Sequence, residues 1–302
     1  MTDAERTRAF RRALNEILRQ RTAIQRGTRD QIARALKLAL ARVTTTLAGA
    51  PSDYQAWSLP QLERQIRQAL AEFQTAATGT IGAAASRSWE AGVASVDAPL
   101  AAGGARIAAL LPQIDTRALA AMRAFMVGRI ADISEAAARK ITSELGLVVI
   151  GAQSPSEAIA NITGQLARGG RERATTIVRT ELGRAFSTAA HARQSLAAEI
   201  VPGMKKQWRR SGKIHSRLNH DAIDGQIQDV DQPFVLGNGV RLMYPRDPAA
   251  PAAETINCGC ESLPFMDTWD VQTPGRRAFS EREIALDPRK AELADTGFDT
   301  AA

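Results

Sequence analysis

An α+β fold is expected for this chain: a mostly α-helical N-terminal half, a compact loop-rich α+β module, and a short polar C-terminal tail. Three observations point there. Apolar residues recur at three- and four-residue steps through roughly the first 200 positions. Aromatics make up only 5% of the 302 residues while alanine is abundant, which suits closely packed helices better than an aromatic-rich sandwich. After Pro202-Gly203 the pattern changes to short apolar pieces between turn formers. The expected division is a helical region over 1–150 with a basic segment at 1–48, the module at 152–266, and the tail at 267–302.

Phe10, Leu14, Ile17, Leu18 and Ile24, then Ile32, Leu36, Leu40, Val43 and Leu47, mark a helix over 3–48, with a break expected near Gly27. Arginines fill its other face. Pro51 to Pro60 reads as a loop, and Pro60 opens a helix carrying Leu62, Ile66, Leu70 and Phe73 on one side. Glycines among alanines and serines leave 79–104 without an assignment. Asp115 or Thr116 caps a helix running to about Leu145, with Met122, Phe125, Met126, Ile130 and Ile133 as its stripe. Ser154, with Glu157 three residues on, starts a helix over 155–167 that Gly169-Gly170 ends. Another helix, Arg171 to Glu199, holds Ile177, Val178, Leu182, Phe186 and Ala190 in register. Short strands and ordered loops follow at Lys206-Gln207-Trp208, Gly225 to Val230, Pro233 to Leu236 and Val240 to Tyr244. Beyond Met266 the chain is polar, and a mobile or partner-ordered tail is expected.

Composition excludes several classes. With 44% hydrophobic and 24% charged residues, a core forms without disulfide staples and wholesale disorder is not expected. No apolar run approaches the length of a membrane span. The arginines of the first twelve residues are followed by no apolar stretch, so no signal peptide is expected. Two cysteines cannot build a disulfide framework, which suits a reducing compartment. The net charge is +7, and all of it lies in Met1 to Arg42, where eleven basic residues face Asp3, Glu5, Glu16 and Asp30. Arg8, Arg11, Arg12, Arg19, Arg21, Arg26, Arg29 and Arg34 are candidates for contact with DNA phosphates or with an acidic protein partner. A solvated helix face is the plainer alternative.

Four of the five histidines and cysteines fall between 215 and 260: His215, His220, Cys258 and Cys260. In an extended segment residues two apart share a face, so both thiols of Cys258-Gly259-Cys260 can point into one site. The same geometry sets their Cα atoms roughly 6.5 Å or more apart, too far for an unstrained disulfide. Zinc accepts thiolate and imidazole, and Cys258, Cys260 and His220 supply three ligands. His215, Asp221, Asp224 or water are candidates for the fourth; two buried, unliganded cysteines are the alternative. The run His215 to Asp221 also invites a metal-dependent nuclease or hydrolase centred on His220, Asp221 and Asp224. No histidine follows His220 to complete an HNH-type centre, however, and the chain has no G-x-S-x-G elbow, phosphate-cradling loop or dinucleotide fingerprint. Asp224-Gly225 reads as a turn pair. No enzyme activity is expected.

An ordered set of pieces carries a family likeness. Ile177-Val178-Arg179-Thr180-Glu181 is followed by Trp208, then Arg217-x-x-His220-x-x-x-Asp224-Gly225, Pro233-Phe234, Tyr244-Pro245-Arg246-Asp247-Pro248, and Glu254-Thr255-Ile256-Asn257-Cys258-Gly259-Cys260. This set resembles the phage head morphogenesis domain of phage Mu F-like minor head proteins, over about 152–266. The resemblance implies a non-enzymatic minor capsid protein of a tailed bacteriophage, present in the virion near the portal and in the host cytoplasm during assembly. Implied partners are the portal protein, inner capsid or scaffold proteins, and phage DNA, with a role in head assembly, DNA packaging or ejection and no membrane. The family shows arginine where Gly259 stands. Some relatives carry a toxin domain after the module; about 36 residues follow Met266 here, too few for an enzyme fold. Arg179, Glu181, Trp208, Arg217, Asp224, Gly225 and Asn257 are the expected structural motif residues. Arg179 and Glu181 are each expected to anchor their helix to the loop-rich part, and Trp208 and Phe234 to fill the module's core. The joint recurrence of His220 with the cysteine pair strengthens the expectation of structural zinc. A nonspecific DNA-binding module is the remaining rival reading.

Overall fold

The computed structural model describes residues 2–48, 59–105, 112–266 and 275–295. The first helix, α1 (Asp3–Ala48), is continuous, without the break expected near Gly27. A glycine inside a helix costs about 1 kcal/mol, and the next turns repay it by burying Thr28, Ile32 and Leu36. α2 (Leu59–Ala102) holds Pro60 in its first turn and continues through the glycine-bearing stretch that had no assignment; the loop expected from Pro51 to Ser58 lies outside the described residues. α3 (Arg117–Val149) starts beside Asp115, whose carboxylate accepts the Arg117 N–H at 2.8 Å. Met126, Ile130 and Ile133 are buried, but Phe125 is half exposed beside Arg129 and does not belong to the stripe.

α4 (Pro155–Ala198) begins with the capping box expected from Ser154 and Glu157: the Ser154 N–H donates to the Glu157 carboxylate at 2.8 Å, and the Glu157 N–H to the Ser154 hydroxyl at 3.3 Å. The two helices expected on either side of Gly169-Gly170 are one. Tertiary contact overrides the local signal, because a side chain at Gly170 would meet Leu36 at 3.0 Å and the bare Cα lets α1 come close.

The chain then folds as β1 (Met204–Arg209), α5 (Leu218–Ala222), β2 (Ile227–Asp229), β3 (Phe234–Val235), β4 (Arg241–Leu242), α6 (Ala252–Thr255) and β5 (Glu261–Met266). One antiparallel sheet has the order β2-β1-β5, and β3 pairs with β4 in a second. In the β1–β5 pair Met204 lies opposite Met266 and Arg209 opposite Glu261, so the segment between them is closed at its base.

Residues 275–295 are not a mobile tail. They include α7 (Glu281–Leu286) and α8 (Arg289–Asp295), with Glu283, Asp287 and Lys290 buried. The Arg210 guanidinium, itself buried, donates to Glu283 at 2.5 Å and to the Ala278 carbonyl at 2.9 Å, and lies over the Phe279 ring. The buried charges that hold this segment were invisible to a reading of local polarity. Residues 267–274 and 296–302 of the expected tail lie outside the described residues.

The described residues form two compact units. One comprises residues up to 23, 86–117 and 182 onward; the other comprises 24–85 and 118–181. In the first, Phe10, Leu14, Val96, Leu100 and Leu263 belong to one apolar cluster, and Trp208, Phe234, Leu236, Leu242, Cys258 and Cys260 to another. The second is built on Val43, Leu47, Ile66, Leu70, Ile141 and Leu145. No helix among the described residues is long and apolar enough to cross a membrane.

Candidate metal centre

Trp208 on β1 organises the site. Its indole is fully buried, meets Phe234 and His220 edge-on at 5.3 and 5.5 Å between ring centres, and donates Nε1–H to the His220 carbonyl at 3.1 Å. This bond fixes the short helix α5 against β1, with His220 on its buried side. The cysteines arrive from the other direction. Asn257 takes a left-handed backbone conformation (φ 57°) after α6, and Cys258-Gly259-Cys260 then leads directly into β5. A side chain at position 259 would lie 2.8 Å from Ser211 and 3.1 Å from Lys213, so glycine is required by space at this crossing. Lys213 lies where the arginine implied by the family resemblance would begin.

His220, Cys258 and Cys260 are buried, with their ligand atoms within 4.8 Å of one another, and among the described residues they are the group suited to hold a metal. The His220 Nδ1 atom is 3.6 Å from the Cys258 sulfur and 3.7 Å from the Cys260 sulfur. Its Nε2 is 2.8 Å from Glu254 on α6. An ionised carboxylate only accepts, so Nε2 carries a proton towards Glu254 and Nδ1 is the ring atom that faces both sulfurs. Burial pushes the Glu254 carboxyl up, but hydrogen bonds from His220, Asn238 and Asn219 outweigh it and hold the group below the usual range. The thiols divide their roles. The Cys260 S–H, with help from His220, pulls Cys258 well below the ordinary thiol range, while that same bond and burial push Cys260 well above it. Both cysteines are free thiols.

A cavity of about 280 Å³ borders the cluster, lined by His220, Cys258 and Cys260 together with Lys213, His215 and Arg217. The candidates for a fourth ligand do not join the group. The His215 side chain is three-quarters exposed and turns towards Asp287 at 3.8 Å. Asp221 accepts from Ser216 and pairs with Lys290 at 3.5 Å. Asp224 accepts from the Arg210 and Arg277 backbone N–H groups at 2.8 and 2.7 Å and pairs with Arg209 at 3.3 Å. Asp224 is thus engaged by internal donors through both oxygens, whereas Asp221 is engaged through Oδ2 and its buried Oδ1 has no hydrogen-bond partner.

Of the other expected positions, Gly225 and Arg217 lie beside this cluster. Gly225 (φ 89°) completes the turn beyond Asp224, and a side chain there would lie 2.7 Å from the Arg276 backbone. Arg217 donates to the Ile256 carbonyl at 2.7 Å. Arg179 does not anchor its helix, since its side chain is exposed; Glu181 is buried. Arg8, Arg12, Arg19, Arg26 and Arg34 are exposed, while Arg11 and Arg29 are half-buried. Arg21 is not available to DNA. It is buried, ion-paired with Glu261 and placed over the Phe186 ring.

Three residues of the site drew no role from the sequence, although Glu254 and Arg246 stand inside the ordered motif set that carries the family likeness. Glu254 orients His220, yet four residues before Cys258 it reads as an ordinary helix acid. Arg246, fully buried at a left-handed position (φ 69°), donates to the Cys258 carbonyl at 2.8 Å, to Ser187 at 2.6 Å and to Glu261 at 3.0 Å. Lys213 lines the cavity mouth. Arg246 and Glu254 had a signal in their motifs, whereas Lys213 had none.

Comparison with known proteins finds matches that include this region. Residues 131–263 match the family model described as Phage Mu protein F like protein. Over 101 residues the chain is 38% identical to Uncharacterized protein YqbB of Bacillus subtilis, covering 32% of this chain and 32% of that protein. Over 96 residues it is 32% identical to NAD(+)--arginine ADP-ribosyltransferase EFV of Enterococcus faecalis, covering 32% of this chain and 19% of that protein. The chain therefore spans about a third and a fifth of the length of these relatives. No solved structure matches.

Proposed function

We propose that the protein is a non-enzymatic minor head component of a tailed bacteriophage that acts in head morphogenesis, because residues 131–263 match the phage Mu F-like family model. In this reading it joins the capsid at the portal vertex, beside portal, inner capsid or scaffold proteins, and serves DNA packaging or ejection. The family match carries the proposal. Two features of the chain support it: Glu254 and Asp224 are engaged by internal donors, as befits a folded docking module, and five exposed arginines lie along α1.

The test is fractionation of assembled heads from a producing strain. The protein is expected to sediment with capsids and to be captured with portal protein after mild disruption. Its absence from every capsid fraction would refute the assignment. Incubation with DNA and divalent cations addresses the nuclease alternative, since cutting that disappears in His220→Ala would replace the structural reading with a catalytic one.

A further inference from the structure

We propose that His220 Nδ1, Cys258 Sγ and Cys260 Sγ bind one zinc ion whose fourth coordination position opens to the adjoining cavity and takes water or a small anion. The site stands independently of a place in the virion.

The separations support a metal. With Zn–S near 2.3 Å and Zn–N near 2.0–2.1 Å, the S···N edge of a tetrahedron is about 3.6 Å. The two sulfurs lie 3.6 and 3.7 Å from Nδ1. Hydrogen bonding alone serves this arrangement poorly. Nδ1 offers a single N–H or a single lone pair, and two sulfurs converge on it. A cation between them uses all three donors at once.

The surroundings have the features of a metal site as well. Glu254 holds the far ring nitrogen at 2.8 Å, the carboxylate–histidine arrangement that fixes the tautomer and aims the opposite nitrogen at a metal. Trp208 holds the His220 backbone, and Arg246 holds the Cys258 carbonyl, so both chain segments are fixed before any ion arrives. Two thiolates and a neutral imidazole balance the charge of Zn²⁺, which suits a buried centre.

The open position follows from which side chains are near. His215, Asp221 and Asp224 stand outside the ligand group, and the cavity of about 280 Å³ borders the three donors. A structural zinc closed by four protein ligands is thereby disfavoured; three ligands and an accessible position are the arrangement that admits an exogenous donor. Lys213 and Arg217 on the cavity wall favour an anionic one.

The experiment uses the full chain purified without chelators. Elemental analysis is expected to give about one zinc per chain, and Glu254→Gln to weaken zinc affinity roughly 10- to 100-fold while the far-UV spectrum is unchanged. Replacement by Co²⁺ is expected to give thiolate-to-cobalt charge-transfer bands and tetrahedral d–d bands. Thiocyanate should shift those d–d bands, and in Lys213→Ala a higher thiocyanate concentration should be needed for the same shift. A folded wild-type chain that takes up no stoichiometric zinc or cobalt overturns the site. Bound cobalt whose d–d bands ignore thiocyanate overturns the open position, and charge-transfer bands that persist in the double variant Cys258→Ser, Cys260→Ser overturn the ligand assignment.

Discussion

His191 illustrates how one buried side chain ties stability to pH. It lies on α4 with its ring tilted on Tyr244 at 4.8 Å. Burial, with Lys206 nearby, lowers the imidazole from 6.5 to about 4. The unfolded chain therefore binds a proton between pH 6.5 and 4 that the folded chain refuses, so this contribution is intact above 6.5 and is lost as the pH falls towards 4. Unfolding free energies from urea titrations across that window are expected to fall less steeply for His191→Gln than for the wild type, by about 3 kcal/mol in total. Parallel curves would place the acid sensitivity elsewhere. Glu283 acts lower on the scale: burial pushes it up, but the bonds from Arg210 and Ser280 hold it down at about 2, so its contribution is lost between pH 4.5 and 2. Glu261 shows a second use of buried charge, because the guanidiniums of Arg21 and Arg246 both pair with it.

At the scale of elements, glycine has opposite meanings at two positions of α2. A side chain at Gly92 would lie 2.3 Å from the Phe186 carbonyl oxygen and 2.8 Å from the Ala189 Cβ, both on α4. Gly92→Ala is therefore expected to lower the melting temperature, by about 1–3 kcal/mol of stability, because backbone rather than a flexible side chain must move. Gly79 has nothing within 4 Å of such a side chain. Gly79→Ala is expected to stabilise by about 0.5–1 kcal/mol through the lower entropy of the unfolded chain. Equal effects at the two positions would show that the α2–α4 approach does not depend on Gly92. The α7–α8 segment hangs on charge instead. Glu283 caps α7 with Ser280 and takes bonds from Arg210 at 2.5 Å and Lys290 at 3.4 Å. Glu283→Ala leaves both cations buried without that carboxylate and is expected to cost about 3–5 kcal/mol. Hydrogen exchange would read the loss as deprotection of 275–295, and unchanged protection there would contradict the ion-pair account.

Across the whole molecule, charge is segregated along the chain, and the exposed part of α1 carries much of it. If Arg8, Arg12, Arg19, Arg26 and Arg34 meet phosphate, retention on DNA falls steeply with salt, and each contact removed by alanine flattens the log–log slope by about 0.9. A flat response assigns the face to a protein partner. The α+β class was legible because periodicity and the change after Pro202-Gly203 are properties of many residues together. The helix start at Ser154 was legible because a capping box is local. Gly27 and Gly169-Gly170 misled because burial on neighbouring turns decides whether a helix survives a glycine. The tail misled because Arg210 and Lys290, far apart in sequence, neutralise it from within. The spacing of Cys258 and Cys260 was open to reading, whereas Glu254 could be matched to His220 only by the fold that joins α5 to α6. The pairing of β1 with β5 has a mechanical side. Met204 and Met266, the outer ends of the two strands, stand opposite each other. Tension across those two points peels the rungs apart in turn instead of shearing them together, so the base yields at low force while the sulfur and indole groups at the other end are the last to feel the load.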